Sequence, residues 1–432
     1  MNFNSHRHLN LVTATSLVIA SMIGTGVFTS LGYQLVDIRS VFTIIMLWMV
    51  GGILSLFGTL SYSELAAALP RSGGEYYLLS RIIHPSIGFV AGVASATVGF
   101  SAPAVLAAIA FAKYLSPLFP SINITITALA VILCLNVLHA TRLNTGKIFQ
   151  EWTTIFKMML ILMFIIIGLF LDEHQQIFFL PTLNDIDLIL SPEFAVSLIW
   201  VSYAYAGWNS SVYVVGEIVQ PEKNIFRSIF FGTAIVTVLY ILINFVFLYT
   251  TPMNQLVGKV EVGYFVGVNI FGEKYAVIIS LFIGLLLIST ISSYVYIGPR
   301  IIQSIGGDYN RLKIFSKTNS KNIPLNAFIL QFIISLIFII TSTFEQVLLY
   351  TGIILIITST ITVVSLFYLR FKEPDLKRPY LAWGYPWTPL LFIILNSWVL
   401  YYTFKIQTFE SIVGLSFIVV SFGLFFIIKK EN

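Results

Sequence analysis

Charged residues are scarce in this chain of 432 residues: Asp, Glu, Lys and Arg make up 10% of it, while 57% of the residues are hydrophobic. A soluble protein carries about 25% charged residues. So small a charged fraction over such a length excludes a string of soluble domains and indicates an all-α integral membrane protein. The formal net charge of +5 is expected on loops beside the membrane, and we expect no nucleic-acid partner.

Cysteine and histidine are too few, or too scattered, for most site chemistry. The single cysteine, Cys134, excludes an internal disulfide and a thiolate metal cluster. The five histidines lie in tails, loops or segment ends, and the acidic residues avoid the segment centres apart from Glu64. A glycine-rich phosphate loop is also missing. These absences argue against an ATP-driven pump or an intramembrane hydrolase, so we expect no catalytic residues, no metal and no cofactor.

Long apolar runs are abundant, and they predict twelve transmembrane helices, since about 20 apolar residues cross a bilayer. With both termini in the cytoplasm, 18 of the 24 Lys and Arg residues fall on that side and five on the other. Because cytoplasmic loops carry the positive excess, we expect both termini, Arg142 and Lys313 inside, and Asp185 and Lys259 outside. The predicted segments are 10–35, 40–69, 85–115, 122–138, 149–171, 194–215, 229–249, 275–305, 325–340, 347–369, 387–404 and 412–428.

The first segment contains an interruption at Ser21–Phe28, with the sequence SMIGTGVF. Glycine costs ~1 kcal/mol against alanine inside a helix, and a helix break within hydrocarbon survives only where it is buried in protein or lines a cavity. One half-helix then offers free amides at its positive end, and the other offers free carbonyls. These two ends suit the carboxylate and the ammonium of an amino-acid zwitterion. A close contact between helix backbones is the alternative interpretation of the same glycines.

A similar interruption occurs in the sixth segment, at Tyr203–Asn209, with the sequence YAYAGWN. The two copies are five segments apart, an odd number, so the second would lie inverted in the membrane. Paired interrupted helices in inverted halves mark the midplane site of a transporter. When the chain is shifted by about 181 residues, the matching residues are Ser16, Leu17, Ser21 and Gly26 with Ser197, Leu198, Ser202 and Gly207.

Several motifs occur together from the first segment to the eleventh. With them the chain resembles the amino acid–polyamine–organocation superfamily of transporters, and within it the L-type amino-acid transporter branch. The resemblance implies the leucine-transporter fold in one transmembrane domain, 1–432, with inverted five-helix repeats at about 10–171 and 193–370 and two extra helices at about 387–428. The motifs are Ile23–Phe28 (IGTGVF), Tyr62–Leu65 (YSEL), Pro70–Tyr76 (PRSGGEY), Tyr205–Asn209 (YAGWN), Glu217, Pro221–Ile225 (PEKNI), Arg378–Tyr380 (RPY) and Trp383–Pro386 (WGYP).

The resemblance also implies a substrate site at the two interruptions. Its carboxylate side falls on amides of the first, and its amino side on carbonyls of both. Tyr203 corresponds to the gating aromatic residue of the family and Asn209 to a polar pocket position, although packing is the commoner role of aromatic residues in helix bundles. The substrate-binding residues implied are Ser21, Met22, Ile23, Gly24, Thr25, Gly26, Val27, Tyr203, Ala204, Tyr205, Ala206, Gly207 and Asn209.

Lys157 is an ionisable residue inside the fifth segment, about 12 Å from its cytoplasmic end. Snorkelling to the interface is one interpretation, but ionisable residues within membranes are functional candidates. In the family, a lysine at this place stands where sodium-coupled relatives bind sodium. The resemblance therefore implies that transport needs no sodium. It also implies that Lys157 bridges the first interruption to the eighth helix, where the hydroxyls offered are those of Ser289, Ser292 and Ser293.

The expected function is that of a plasma-membrane permease that moves L-amino acids by alternating access, as an exchanger or with protons. Neutral substrates are favoured because no charged pocket residue pairs with a substrate side chain. The alternatives are a cationic amino-acid or polyamine antiporter, and a sensor or channel on the same fold. The sequence leaves open whether an accessory subunit takes part.

Overall fold

In the computed structural model, the described residues are 7, 9–141, 146–172, 174–177, 180–320 and 323–429. Arg142, which is predicted to be cytoplasmic, lies outside them. The described chain folds into helices joined by short connections, and a π-helical stretch, Ser95–Ser101, joins the fifth helix to the sixth. The first ten helices are α1 (Leu11–Met22), α2 (Gly26–Asp37), α3 (Val41–Ala68), α4 (Gly74–Ile82), α5 (Pro85–Ala94), α6 (Ala102–Leu115), α7 (Ile124–Thr141), α8 (Gly146–Leu169), α9 (Leu183–Ile189) and α10 (Pro192–Tyr205).

The second half of the chain continues the same pattern of long helices and short helical turns. Two 3₁₀ turns, Val215–Glu217 and Asn310–Leu312, lie at connections between helices. The other helices are α11 (Ser210–Tyr213), α12 (Pro221–Thr250), α13 (Met253–Leu256), α14 (Val262–Phe271), α15 (Glu273–Asp308), α16 (Lys313–Ser316), α17 (Leu325–Thr341), α18 (Phe344–Lys372), α19 (Trp387–Ile406) and α20 (Thr408–Lys429).

The described residues contain 10 helical spans that are long and apolar enough to cross a membrane. α9 and α10 would make an eleventh, although they meet at a bend of 63°. α17 is apolar but only 17 residues long. The structure therefore confirms an all-helical protein with many spans, while twelve transmembrane helices and the inverted repeat stay predictions.

The two parts of the first segment separate after Met22 and pack on different neighbours. α1 lies on α12 and α11, whereas α2 lies on α10 and α14. A small residue permits the close approach of α1 to α12, because a Cβ atom on Gly232 would lie 2.8 Å from the Val18 side chain. The break therefore places its free backbone ends between α10 and α12.

One end of the bundle holds Leu9, and we call it the Leu9 end. The amide of Leu9 donates to the carbonyl of Glu217, and the amide of Val219 donates to the carbonyl of Leu9, both at 2.9 Å. At the same end the buried carboxylate of Glu64 accepts two hydrogen bonds from Arg370, at 2.8 and 2.6 Å. The tail before α1 is thus attached to the segment after α11, and α3 is attached to the end of α18.

The opposite end of the bundle is organised by Asp185, and we call it the Asp185 end. Thr182 and Asp185 form a capping box at the start of α9. The same carboxylate accepts hydrogen bonds from Ser40, the N-cap residue of α3, and from Thr43 at 2.9 Å. One side chain therefore satisfies donors at the beginning of two helices.

Candidate substrate site

The first helix breaks between Met22 and Gly26. Ile23 leaves the helical conformation, and the amide of Gly24 turns back to the carbonyl of Met22 at 2.8 Å. Thr25 is the N-cap residue of α2, but its side chain makes no capping hydrogen bond. Among the described residues, the amides of Thr25, Gly26 and Val27 donate to no backbone or side-chain acceptor. Three donors thus converge at the positive end of α2, as an anion requires.

The sixth segment breaks between Tyr205 and Ser210. Its glycine, Gly207, has a φ of +100°, which a residue with a side chain rarely adopts. The amide of Ala206 turns back to the carbonyl of Tyr203 at 3.0 Å. The interruption predicted at Tyr203–Asn209 is therefore present, and a glycine is required there by the backbone itself.

The two breaks lie in direct contact. A Cβ atom on Gly26 would lie 2.4 Å from the Cα atom of Ala204, and one on Gly207 would lie 2.8 Å from the carbonyl of Ser21. The hydroxyls of Thr25 and Tyr203 are 2.7 Å apart. Both interpretations of the glycines, helix break and close backbone contact, therefore hold at this site.

Tyr240 on α12 connects the two breaks from the side. Its hydroxyl lies 2.6 Å from the carbonyl oxygen of Met22 and 3.2 Å from that of Ala204. The sequence does not single out this residue, because one tyrosine in an apolar run forms no spacing pattern. This hydroxyl donates a hydrogen bond to the carbonyl of Met22, which was expected to accept from a substrate amino group. Among the described residues, the carbonyls of Ser21 and Ile23 accept no hydrogen bond.

The side chains of Tyr205 and Trp208 pack in the core of the bundle. The Tyr205 hydroxyl donates to the carbonyl of Trp48 at 3.0 Å, away from the break. The Trp208 ring packs edge-on against Tyr62. The turn of α10 that points Tyr203 at Thr25 points Tyr205 at α3, and the binding role of Tyr205 stays a prediction.

Lys157 is buried, with 2% of its surface exposed, and its ammonium does not reach the interface. Its Nζ atom donates to the hydroxyl of Thr290 on α15 at 2.8 Å. The Thr290 methyl group in turn lies 3.5 Å from the position of a Cβ atom on Gly24. The Lys157 ammonium therefore bonds to the eighth helix through a threonine, whose methyl group lies beside Gly24. The predicted bridge from Lys157 to the first break stays a prediction.

The three serines predicted as partners of Lys157 make other hydrogen bonds. The Ser289 hydroxyl lies 2.6 Å from that of Thr153, and the Ser292 hydroxyl lies 2.7 Å from Nε2 of His139. The Ser293 hydroxyl donates to the carbonyl of Ser289. One residue turns a side chain by about 100° around a helix, and the rotation of α15 points Thr290 at Lys157. A coupling role for the three serines stays a prediction.

A family model for amino acid permeases matches residues 9–428 of this chain. The chain belongs to the amino acid permease family. The permease is 26% identical over 383 residues to the large neutral amino acids transporter small subunit 2 of Homo sapiens, covering 86% of this chain and 71% of that protein. It is 26% identical over 383 residues to the b(0,+)-type amino acid transporter 1 of Mus musculus, covering 86% and 78%. It is 27% identical over 382 residues to the cystine/glutamate transporter of Homo sapiens, covering 87% and 76%.

The permease site combines backbone donors, backbone acceptors and hydroxyls that are buried in the bundle. Thr25 is 2% exposed and Tyr203 is 5% exposed. In the described part of the permease, no group of three or more His, Cys, Asp or Glu side chains could hold a metal ion. The arrangement suits recognition of a small zwitterion by the main chain.

Proposed function

We propose that this permease is a secondary active transporter that carries L-amino acids across the plasma membrane by alternating access, without sodium. The observation that carries the proposal is the set of three unpaired amides, those of Thr25, Gly26 and Val27, at the positive end of α2. A substrate carboxylate would accept from them. The substrate ammonium would donate to the carbonyls of Ser21 and Ile23, which have no donor of their own within the described chain.

The substrate side chain is proposed to be neutral. The Tyr203 hydroxyl bonds to Thr25 beside the amides, and it carries no charge. One relative is named for large neutral amino acids, which agrees with this choice. Another relative is named for cystine and glutamate, which keeps these as alternatives beside the cationic amino acid that the sequence leaves open. A thermal-shift screen separates them.

Sodium independence rests on Lys157. A sodium ion would have to share the space beside Thr290 with an ammonium, and like charges at such a distance repel in a medium of low dielectric constant. The ammonium also connects α8 through Thr290 to the turn at Gly24. We propose that this connection supports the first break in the closed state and is remade in each transport cycle.

The proposed topology has twelve spans, with both termini in the cytoplasm. α9 and α10 supply a bent span and α17 supplies a short one, which complete the set beside the 10 longer spans. The inverted repeat is supported by the two breaks, since one follows Met22 and the other follows Tyr205 in segments five apart. The Leu9 end then faces the cytoplasm.

A covalently attached accessory subunit is not part of the proposal. One relative is named as a small subunit, which implies a partner for that protein. A disulfide in this chain would have to use Cys134, which lies in the middle of α7. We propose that the purified chain transports substrate alone.

The test uses purified protein in two steps. A thermal-shift screen of the twenty amino acids and common polyamines identifies ligands, because a ligand of the folded state raises the apparent Tm. Uptake into proteoliposomes is then measured with sodium replaced by choline. We expect stabilisation by neutral L-amino acids and full uptake in choline. Strict dependence on sodium, or no stabilisation by any amino acid, would contradict the proposal.

Two variants test the role of Lys157 in the same assay. Lys157→Ala removes the ammonium, and Thr290→Val removes only its acceptor while it keeps the methyl group beside Gly24. We expect a loss of uptake of at least about tenfold for Lys157→Ala, because the functional charge within the membrane is removed. We expect a smaller loss for Thr290→Val, because the ammonium stays in place and loses only its acceptor. Thr290→Ser keeps the hydroxyl and serves as the control. Full activity of Lys157→Ala would refute the assignment.

A further inference from the structure

Glu75 is a buried carboxyl group that the substrate site does not use. It lies in the first turn of α4 and is 4% exposed. Its Oε1 atom accepts from the hydroxyl of Tyr62 at 2.5 Å and from Nδ2 of Asn209 at 3.2 Å. In the described part of the chain no cation lies within ion-pair distance of it. Buried carboxyl groups without a cation are rare and costly, so this one calls for a function.

The bond between Asn209 and Glu75 crosses a boundary between two groups of helices. α4 packs on α5 and α18. Asn209 is the N-cap residue of α11, and α11 packs on α1. Two more hydrogen bonds cross the same boundary at the Leu9 end. The amide of Gly73 donates to the carbonyl of Tyr213 at 3.1 Å, and the amide of Gly216 donates to the hydroxyl of Ser72 at 3.1 Å. We call this set of three bonds the α4–α11 contact.

The α4–α11 contact extends from the sixth-segment break toward the Leu9 end. Asn209 is two residues after Gly207, so the contact begins at the end of the sixth-segment break. A substrate that leaves toward the Leu9 end has to separate α11 from α4. Asn209, which the family resemblance implies as a pocket residue, is therefore also the first residue of the contact.

The surroundings of Glu75 leave its charge uncompensated. The ionisable groups that face it are the hydroxyls of Tyr62 on α3 and Tyr213 on α11, and a tyrosine hydroxyl ordinarily carries no charge near pH 7. α18 contributes the hydroxyl of Thr358, while its Arg370 is bonded to Glu64. α5 contains no ionisable residue. On α4 itself, the other ionisable groups and their neighbours are Tyr76 with Asp308, Tyr77 with Arg71, and Arg81 with Glu373.

Protonation of Glu75 would weaken the α4–α11 contact. Burial raises the pKa of the Glu75 carboxyl, and hydrogen bonds from Tyr62 and Thr358 oppose this effect in part. Hydrogen bonds to an ionised acceptor are about twice as strong as those to a neutral one. The neutral acid therefore holds Asn209 less firmly than the carboxylate does, so the contact opens more readily at low pH.

We propose that Glu75 is the proton-binding site of the α4–α11 contact. The ionised carboxylate holds Asn209 and keeps α11 on α4, and protonation of this carboxylate lets α11 separate from α4. The inference rests on the proposed transport function. It makes Glu75 a positioning residue, because it acts on the substrate path through Asn209 and touches no substrate atom.

The experiment measures exchange of a labelled amino acid in proteoliposomes at equal pH on both sides, from pH 8 to pH 5.5. For the parent we expect the exchange rate to rise about fivefold to tenfold as the pH falls, the factor that separates a charged from a neutral acceptor. Glu75→Gln keeps an oxygen acceptor for Tyr62 and Asn209 but cannot ionise. This variant should exchange at every pH at the rate that the parent reaches at pH 5.5. A Glu75→Gln variant with the parent's pH dependence would overturn the proposal, as would a parent without pH dependence.

Two further variants distinguish titration from simple loosening. Ser72→Ala removes another bond of the α4–α11 contact without removing an ionisable group, so it should raise the rate and keep the parent's pH dependence. Tyr62→Phe removes a donor that favours the ionised carboxyl, so it should move the midpoint to higher pH. An unmoved midpoint would contradict the proposal even if Glu75→Gln fails to fold. Ligand stabilisation of each variant, measured by thermal shift, shows separately whether the substrate site is intact.

Discussion

At the scale of single residues, Gly24 and Gly26 flank one threonine but meet different neighbours. A Cβ atom on Gly26 would overlap the backbone of Ala204 at 2.4 Å, whereas one on Gly24 would meet Thr290 at an ordinary 3.5 Å. We expect Gly26→Ala to cost about 1–3 kcal/mol through overpacking and to lose ligand stabilisation, and Gly24→Ala to leave the apparent Tm nearly unchanged. Thermal shift with and without substrate checks both. Equal effects of the two substitutions would show that the close contact of the breaks is unimportant.

Tyr240 provides a second test at the same scale. Tyr240→Phe removes the donor shared by the carbonyls of Met22 and Ala204, and a buried acceptor left without its donor costs about 1–3 kcal/mol. We expect a lower apparent Tm and slower exchange, because the two breaks lose the hydroxyl that bonds to both of them. Tyr205→Phe is the matched control, since it removes a buried hydroxyl that bonds to Trp48 outside the breaks. It should lower the apparent Tm with little effect on exchange per folded molecule.

The residue scale is where the sequence predicted least. The glycines at both breaks were found because they interrupt apolar runs, and Lys157 because it is charged. Thr290 and Tyr240 were missed because their roles depend on how α15 and α12 are rotated about their axes. Each helix carries several hydroxyl residues on adjacent turns, so the sequence does not indicate which of them faces the break. The same uncertainty of about 100° per residue separates Tyr203, which faces the break, from Tyr205, which does not.

At the scale of helices, α9 depends on Asp185. Burial by itself raises the pKa of this carboxyl, but hydrogen bonds from Ser40, Thr182 and Thr43 outweigh it and lower the pKa to about 2. A lowered pKa in the folded state means that the stabilisation is complete above the ordinary value near 4 and is lost as the pH falls toward 2. The carboxylate therefore stabilises the Asp185 end at neutral pH.

Asp185→Asn should lower the apparent Tm at pH 7, and the difference from the parent should shrink as the pH falls below about 4. The control is Asp187→Asn on the same helix, because Asp187 is exposed. Differential scanning fluorimetry over this pH range checks the prediction. A difference that is constant with pH would mean that the amide fails for a steric reason and not for lack of charge.

The bridge between Leu9 and Ile218 gives a prediction about which helices move together. Both residues belong to the group of α1, α11 and α12, so a disulfide between Leu9→Cys and Ile218→Cys should leave exchange intact. Ser72→Cys with Gly216→Cys should instead block exchange, because it crosses the α4–α11 contact. Its Cβ atoms would be 3.8 Å apart, the usual disulfide distance.

Both pairs are placed in a Cys134→Ser background and compared before and after reduction. Exchange that survives the second disulfide, or stops with the first, would contradict this division of the helices. The sequence predicted the long helices well because each fills an apolar run, but it gave no sign of the short helices α4, α9 and α11, whose ends form these contacts.

At the scale of the whole molecule, the proposed orientation can be tested directly. Lys259 lies at the Asp185 end, where the amide of Gly258 donates to the carbonyl of Gly32. Lys313 lies at the Leu9 end, close after Asp308, which bonds to Tyr76. Single cysteines at 259 and 313 in the Cys134→Ser background should react with an impermeant maleimide from outside and from inside, respectively. Labelling of position 313 in intact cells would reverse the orientation.

The first break and its partners are far apart in the chain, which has a consequence for biosynthesis. Thr25 bonds to a residue 178 positions later, and Met22 to one 218 positions later. When the first segment leaves the ribosome, nothing yet exists to shield its unpaired amides from lipid, where each costs several kcal/mol. We therefore expect the first segment to stay beside the insertion machinery until α12 has been made. Crosslinking of ribosome-bound chains of increasing length to that machinery would show its release only after residue 240.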